Sequence, residues 1–482
     1  MKKFRLVMLT ALITFSVTSC FEDRDDNLVF TNDVKDFIWK GMNEFYIFGN
    51  DLPDLRNDRF GINGEDNRYN STPEYLNYLS GFSSPETIFD ALVFDAGNTD
   101  RFSILFPDLF EALELFNGTT ETNGLRFSAF PVPGSSDEVY AIVRLVLNGS
   151  SGDLAGIERN MFITGVDGIT LTTTNFSDLL TQDIATFNFA DYNNNNNTDT
   201  FDDDILTPNG QSITVYKEIF TDNPVHRVDV IVEDNETIGY LMYNSFRGNF
   251  ETELNQAFAT FQAANIEHLV LDLRYNGGGS ILTATRLANM ITGQFNGQPY
   301  AKNINGPNRQ DENTTFNFID TIDGGAATNS LGLDKVYVLT TNSSASASEL
   351  TINSLRPYIE VVQIGTNTSG KTTSNRLVFD SPDFGTSQVT SAHTYALFPL
   401  TGNVSNVDDL LVPTTGLGPN ILFEESRTNF GTLGDPEEPL LERAIADITG
   451  SGRFINNATH SGFEELKSKK LKKPLDGYMY LK

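Results

Sequence analysis

Residues 335–371 read KVYVLTTNSSASASELTINSLRPYIEVVQIGTNTSGK. The apolar run at 335–340 predicts a strand, 346–356 a helix ended by Pro357, and 360–364 a second strand. Working outward, strands are expected at 226–232, 238–246 and 268–274, and a helix at 280–290. Phe250, Leu254, Phe258 and Phe261 stripe one face of a further helix. Strands alternating with helices predict an α/β core over 219–450 on a buried, largely parallel sheet. A chain of 482 residues exceeds what one small core needs, so other domains should flank this one.

Three small-residue turns at strand ends carry the candidate chemistry. Asp272-Leu273-Arg274-Tyr275-Asn276-Gly277-Gly278-Gly279 lets backbone N–H groups face an anion, as an oxyanion hole or a phosphate nest would, or simply starts a helix. Ser343-Ser344-Ala345-Ser346-Ala347-Ser348-Glu349 puts a serine at a helix N-terminus, where the dipole favours an alkoxide; Ser346-x-x-Glu349 is equally a capping box. Gly365-Thr366-Asn367-Thr368-Ser369-Gly370-Lys371-Thr372 matches the phosphate-binding G-x-x-x-x-G-K-[ST] loop residue for residue. Such a loop must open a helix, whereas Thr373 to Asp380 are poor helix formers leading into a strand, so a nucleotide site is the weaker reading.

Taken together, the run SASASE at 344–349, the Gly370-Lys371 pair downstream and DLRYNGGG at 272–279 resemble the tail-specific, or C-terminal processing, serine peptidases. The resemblance implies a ClpP/crotonase-like α/β peptidase core. It implies Ser346 as nucleophile and Lys371, 25 positions later, as general base, with no metal or other cofactor. The oxyanion hole would come from the N–H groups of Ala347 and of Gly277 or Gly278. Substrates would be proteins or peptides with exposed or unstructured C-termini. A lysine acts as a base only when neutral, so burial and helix-end electrostatics must lower its pKa by several units from about 10.4. Two positions depart from the family pattern: Pro357 stands where many members carry an acid eleven positions after the serine, and Thr372 where glycine usually follows the lysine. His226, His268, His393 and His460 lie in strand-like or tail contexts without a nucleophile elbow, which points to structural roles. The alternative is a non-catalytic protein that binds peptide tails or an apolar ligand on the same scaffold.

Upstream, 101–218 breaks into short apolar runs with turns. Gly124-Leu125-Arg126-Phe127, Leu154-Ala155-Gly156-Ile157 and Val166-Asp167-Gly168 resemble a PDZ domain, in which the first segment would be the carboxylate-binding loop. Asn160-Met161 replaces the usual Gly-Asp, and an unrelated β-rich domain is the other reading. Within it, DYNNNNNTDTFDDD at 191–204 fits the spacing of a calcium loop, yet Asn196 replaces the turn glycine and Asp202 the bidentate glutamate; a solvated loop is the expectation. Val34, Ile38, Met42 and Phe45 at helical spacing predict a small helical domain over 33–100.

The formal charge of −31 opposes nucleic acid and anionic lipid as partners. Lys2, Lys3 and Arg5 precede an apolar stretch at 6–17 too short to span a bilayer, then Val17-Thr18-Ser19-Cys20, which looks like a bacterial lipobox. With Cys20 the sole cysteine, 1–19 reads as a lipoprotein signal peptide, Cys20 as the acylated anchor to a membrane of the bacterial cell envelope, and 20–32 as an acidic tether. The segment 451–482 is basic, with Lys467, Lys469, Lys470, Lys472 and Lys473, and reads as a loosely held appendage. Nothing in these patterns fixes an oligomeric state.

Overall fold

The computed structural model describes residues 31–60, 72–195, 197, 201–425, 430–451, 465–468, 471, 475 and 477–481. Cys20 and the whole leader, His460, and parts of 191–204 and of 451–482 lie outside the described residues.

The core is the expected α/β layout. Strands β1 (Val225–Glu233) and β2 (Glu236–Tyr243) form a hairpin. After α1 (Glu251–Ala264), β3 (His268–Asp272) lies parallel to β2; after α2 (Ile281–Thr292), β4 (Lys335–Thr340) lies parallel to β3. After α3 (Ala347–Leu355), β5 (Glu360–Gly365) joins β4, and β6 (Ile421–Leu422) completes a six-stranded sheet in chain order. The period-2 alternation of strands sends Leu269 and Leu271 toward α1, α2 and α3, and Val270 to the opposite face with Leu440 and Leu441 of α4 (Pro439–Thr449). Covering both faces is what makes β3 and β4 continuous apolar runs in the sequence.

A second six-stranded sheet stands beside the first, in the order Gly279–Ser280, Met479–Leu481, Thr373–Arg376, Leu400–Asn406, Pro299–Asn305, Thr314–Asn317. Its members are scattered between residues 279 and 481, and no local pattern announced it. Of the appendage expected at 451–482, the stretch Met479–Leu481 is therefore an internal strand, with Met479 fully buried.

Helix Thr31–Phe45 buries Val34, Ile38, Met42 and Phe45 as its spacing predicts. Trp39 packs edge-on against Phe60 and Tyr75 and donates its indole N–H to Asp54 O at 2.8 Å. The same cluster includes Val378, Leu397 and Leu400, so this helical region shares its core with the region downstream. Strand Ile104–Phe106 pairs with Ala396–Phe398 and likewise leans on that region, not on the β-rich domain that follows.

The β-rich domain is an antiparallel sheet in the order Leu125–Pro131, Val139–Val146, Phe162–Val166, Ile184–Asn193, Ile205–Tyr216. Asp191 and Asn193 belong to the strand Ile184–Asn193, and a strand, not a helix, flanks the Asn-rich loop on each side. Among the described residues no three His, Cys, Asp or Glu side chains cluster as metal ligands.

Candidate active site

The turn from β4 into α3 is stitched to the glycine turn by serines and threonines. Ser344 Oγ donates to Leu273 O at 2.8 Å, Ser348 Oγ to Asn276 O at 2.9 Å, and Thr341 Oγ1 to Arg274 O. The serine-rich composition is thus largely structural. Ser346 differs: it is fully buried, yet its Oγ has no hydrogen-bond partner among the described residues. Its backbone lies at φ 64°, ψ −113°, a region that a residue with a side chain seldom occupies. A strained residue with an unspent hydroxyl at a helix N-terminus is the feature that separates Ser346 from its neighbours.

Glu349 holds that turn. Its Oε2 accepts from the Ser346 N–H at 2.7 Å and from the Lys371 N–H at 2.9 Å. Its Oε1 accepts from the Gly370 N–H at 2.7 Å and the Thr368 hydroxyl at 2.6 Å. Of the capping box expected from Ser346-x-x-Glu349 only the glutamate half forms, and that carboxylate is also the clamp between the Ser346 and Lys371 backbones. Burial pushes the Glu349 carboxyl above its usual pKa, although all four donors pull the other way. The same bonds consume the N–H groups that a phosphate loop would offer, and the strand Thr373–Arg376, not a helix, follows Lys371. The phosphate-loop match is thus without the architecture it requires.

Lys371 is buried, with Nζ donating to Asn375 Oδ1 at 2.8 Å and lying 4.6 Å and 4.7 Å from the ring centres of Phe102 and Tyr478. Burial drives its pKa well below the ordinary lysine value, against the opposing pull of Asp100 and Glu349. Asn375 is fixed in turn by donating to Phe102 O and Phe398 O, each at 3.1 Å.

The glycine turn faces the same place. A Cβ on Gly278 (φ +112°) would lie 2.7 Å from Ser346 Cβ, so only glycine admits this approach. The Gly278 N–H donates to Asn276 Oδ1 at 2.9 Å and is spent. The Gly277 N–H makes no backbone hydrogen bond among the described residues. Ala347 opens α3, where an N–H has no intrahelical acceptor. Beneath the turn, Arg274 is fully buried between Asp272 and Glu438, with Nη1 2.6 Å and Nη2 2.9 Å from the two Glu438 oxygens. Burial alone would raise the Glu425 carboxyl beside it, but Arg274 and Arg159 prevail and hold it at about 2.

The structure brings together Ser346, Ala347, Lys371, Gly277 and Gly278. It keeps Gly124 to Phe127 apart, on the β-rich domain. There the Gly124 N–H donates to Thr122 Oγ1 at 3.0 Å and the Leu125 N–H to Asn123 Oδ1 at 3.1 Å, so two donors that a bound carboxylate would need are occupied. Leu125 and Phe127 are core residues, and Arg126 pairs in register with Leu145. Two of the described histidines are paired elsewhere: His268 with Glu236 at 2.9 Å, and His393 with Asp380 at 3.0 Å. Sequence reasoning missed Asn375, Phe102 and Tyr478; nothing local marks an asparagine or an aromatic side chain as a lysine's partner.

A serine with an unspent hydroxyl, a buried lysine and a glycine turn are the parts of a serine-type hydrolase. Residues 237–397 match the family described as Peptidase family S41, and 33–104 match the Peptidase S41 N-terminal domain. The chain is similar to a Staphylococcus epidermidis protein named CtpA-like serine protease, at 28% identity over 147 residues, 30% of this chain and 28% of that one. It is 26% identical to a carboxyl-terminal-processing protease of Picosynechococcus over 294 residues, 60% of this chain and 63% of that one. A crystal structure of a Bacteroides fragilis protein assigned to the S41 proteases superposes with TM-score 0.67 at 26% identity, covering 86% of this chain and 97% of that one.

Proposed function

We propose that the protein is a serine endopeptidase that cuts polypeptides with exposed or unstructured C-termini through a Ser346–Lys371 dyad. The observation that carries this reading is Glu349 Oε2, which accepts from the Ser346 and Lys371 N–H groups at once and so ties the two residues together. Burial lowers the Lys371 pKa, which favours the neutral amine that a general base must be. That amine takes the Ser346 proton as Oγ bonds to the scissile carbonyl carbon. The tetrahedral oxyanion is held by the Ala347 and Gly277 N–H groups, the two donors at the turn left for it. The amide C–N bond breaks, the leaving nitrogen takes the proton from Lys371, and water then hydrolyses the ester with the same lysine as base. Strand Leu125–Pro131 is the outermost of its sheet and suits an incoming peptide strand, which favours a PDZ-like role for that domain by strand addition. Export through residues 1–19 and anchoring at Cys20 belong to the same proposal and rest on the sequence alone.

The test is hydrolysis of an unfolded polypeptide such as casein by the protein and by Ser346→Ala and Lys371→Ala, from pH 6 to 10. The dyad requires cleavage lost in both variants and, in the unmodified protein, a rate that rises as a base deprotonates. Activity surviving in Ser346→Ala would place the nucleophile elsewhere. Inertness toward several unfolded substrates would favour the binding-protein reading.

A further inference from the structure

The strand Met479–Leu481 lies between two parts of the candidate site. It pairs in parallel with Gly279–Ser280, directly after the glycine turn, and in parallel with Asn375–Arg376, the strand that follows Lys371. An extended segment hydrogen-bonded on both edges, with one side chain buried, is how a peptide is held by strand addition. Its placement is specific. A Cβ on Gly278 would lie 2.6 Å from Tyr478 O and 2.7 Å from Ser346 Cβ, which sets the Tyr478 carbonyl beside the serine. The Tyr478 ring covers Lys371 Nζ at 4.7 Å and meets Phe102 edge-on. Met479 is 1% exposed within the main core, and Tyr480 packs edge-on against Phe116. Tyr480 and Leu481 themselves line an open cleft, together with Leu282, Glu312, Phe316 and Arg376. Further upstream, the Leu466 N–H donates to Ala129 O at 2.8 Å, on the outermost strand, Leu125–Pro131, of the β-rich sheet. Leu466 and Tyr478–Leu481 thus touch both surfaces that a polypeptide substrate would use.

We propose that Tyr478–Leu481 is a peptide bound in cis in the substrate groove, in a register that sets the Tyr478 carbonyl at Ser346 and bars other polypeptides. The groove's ligand class follows: an extended peptide with an aromatic residue at the serine, then a buried unbranched apolar residue, then a second aromatic one. This inference rests on the peptidase reading for its consequence, but its first test does not need catalysis.

A fluorescent peptide of sequence GYMYL (residues 477–481) is titrated by anisotropy into Ser346→Ala and into Ser346→Ala/Met479→Asp. The buried carboxylate should expel the strand, so the double variant should bind at least about tenfold more tightly. Equal affinity, or no binding to a folded double variant, would overturn the proposal. Because Met479→Asp can also unfold the protein, a second measurement uses Ser346→Ala alone. Saturating GYMYL should abolish the hydrogen-exchange protection of residues 479–481, and protection that persists would equally overturn it. Met479→Asp with Ser346 intact should then digest casein several-fold faster than the unmodified protein. An active but unaccelerated variant contradicts occlusion and leaves the peptidase reading standing. Peptide binding as expected without casein cleavage in either protein keeps the cis ligand and removes the peptidase.

Discussion

Glu349 carries the sharpest prediction, because one carboxylate serves four donors on two segments. Glu349→Gln keeps the shape and replaces one acceptor by an NH2 group. At the Oε2 position that group would face two backbone N–H groups, Ser346 and Lys371. At the Oε1 position it faces the Gly370 N–H and the Thr368 hydroxyl, and the hydroxyl can turn to accept. The amide therefore settles there and strands one buried N–H, at a cost of about 1–3 kcal/mol. The two bonds to Oε2 fall from charged to neutral strength, a loss of about 1 kcal/mol each. Together the variant should lose about 3–5 kcal/mol, read as a lower urea midpoint at unchanged slope. Since the same bonds position the serine and the lysine, kcat/KM on casein should fall about 100-fold or more. A loss below about 1 kcal/mol with kcat/KM within twofold would refute the view of Glu349 as the clamp between the two segments.

Lys371→Met should abolish casein hydrolysis while raising stability at neutral pH. The folded-state pKa of this lysine is depressed, so between that value and the unfolded one near 10.4 only the unfolded chain holds the proton. The stability of the unmodified protein should therefore rise with pH across that window, and thermal melts of the two proteins should converge at its upper end. Asn375→Asp places a carboxylate where Oδ1 now accepts at 2.8 Å from Lys371 Nζ; the pH–rate profile should move about one to three units toward alkali, visible as a shifted midpoint in kcat/KM. Gly278→Ala meets Tyr478 O at 2.6 Å and Ser346 Cβ at 2.7 Å at a backbone angle of φ +112°, and should lose more than about 1 kcal/mol in urea denaturation along with most activity.

The core was legible because its signals are local. An apolar run buried on both faces, a helical stripe such as Leu254, Phe258 and Phe261, and a Pro357 that ends α3 each leave a mark within one segment. Ser346 and Lys371 stood out through paired motifs at a fixed spacing, whereas the carboxylate that joins their backbones did not. The second sheet was not, because it joins Gly279–Ser280 to strands about 100 and 200 residues away, and two-to-four-residue strands carry no periodicity. The role of Gly278 was only half legible. Its missing Cβ explains the glycine, but whether its N–H is available depends on Asn276 Oδ1, which the sequence cannot orient. Likewise Gly124 and Leu125 read as a loop of open N–H donors until Thr122 and Asn123 supply acceptors from the residues just before.

The central claim is that Ser346 Oγ is the nucleophile. Rapid acid quench during turnover of an unfolded substrate, followed by peptide mass mapping, tests it most directly. The dyad predicts a substrate-derived acyl group on the peptide containing Ser346, absent from Ser346→Ala and slow to form in Lys371→Ala. An acyl group on another residue, or rapid turnover with no adduct at any time, would contradict it.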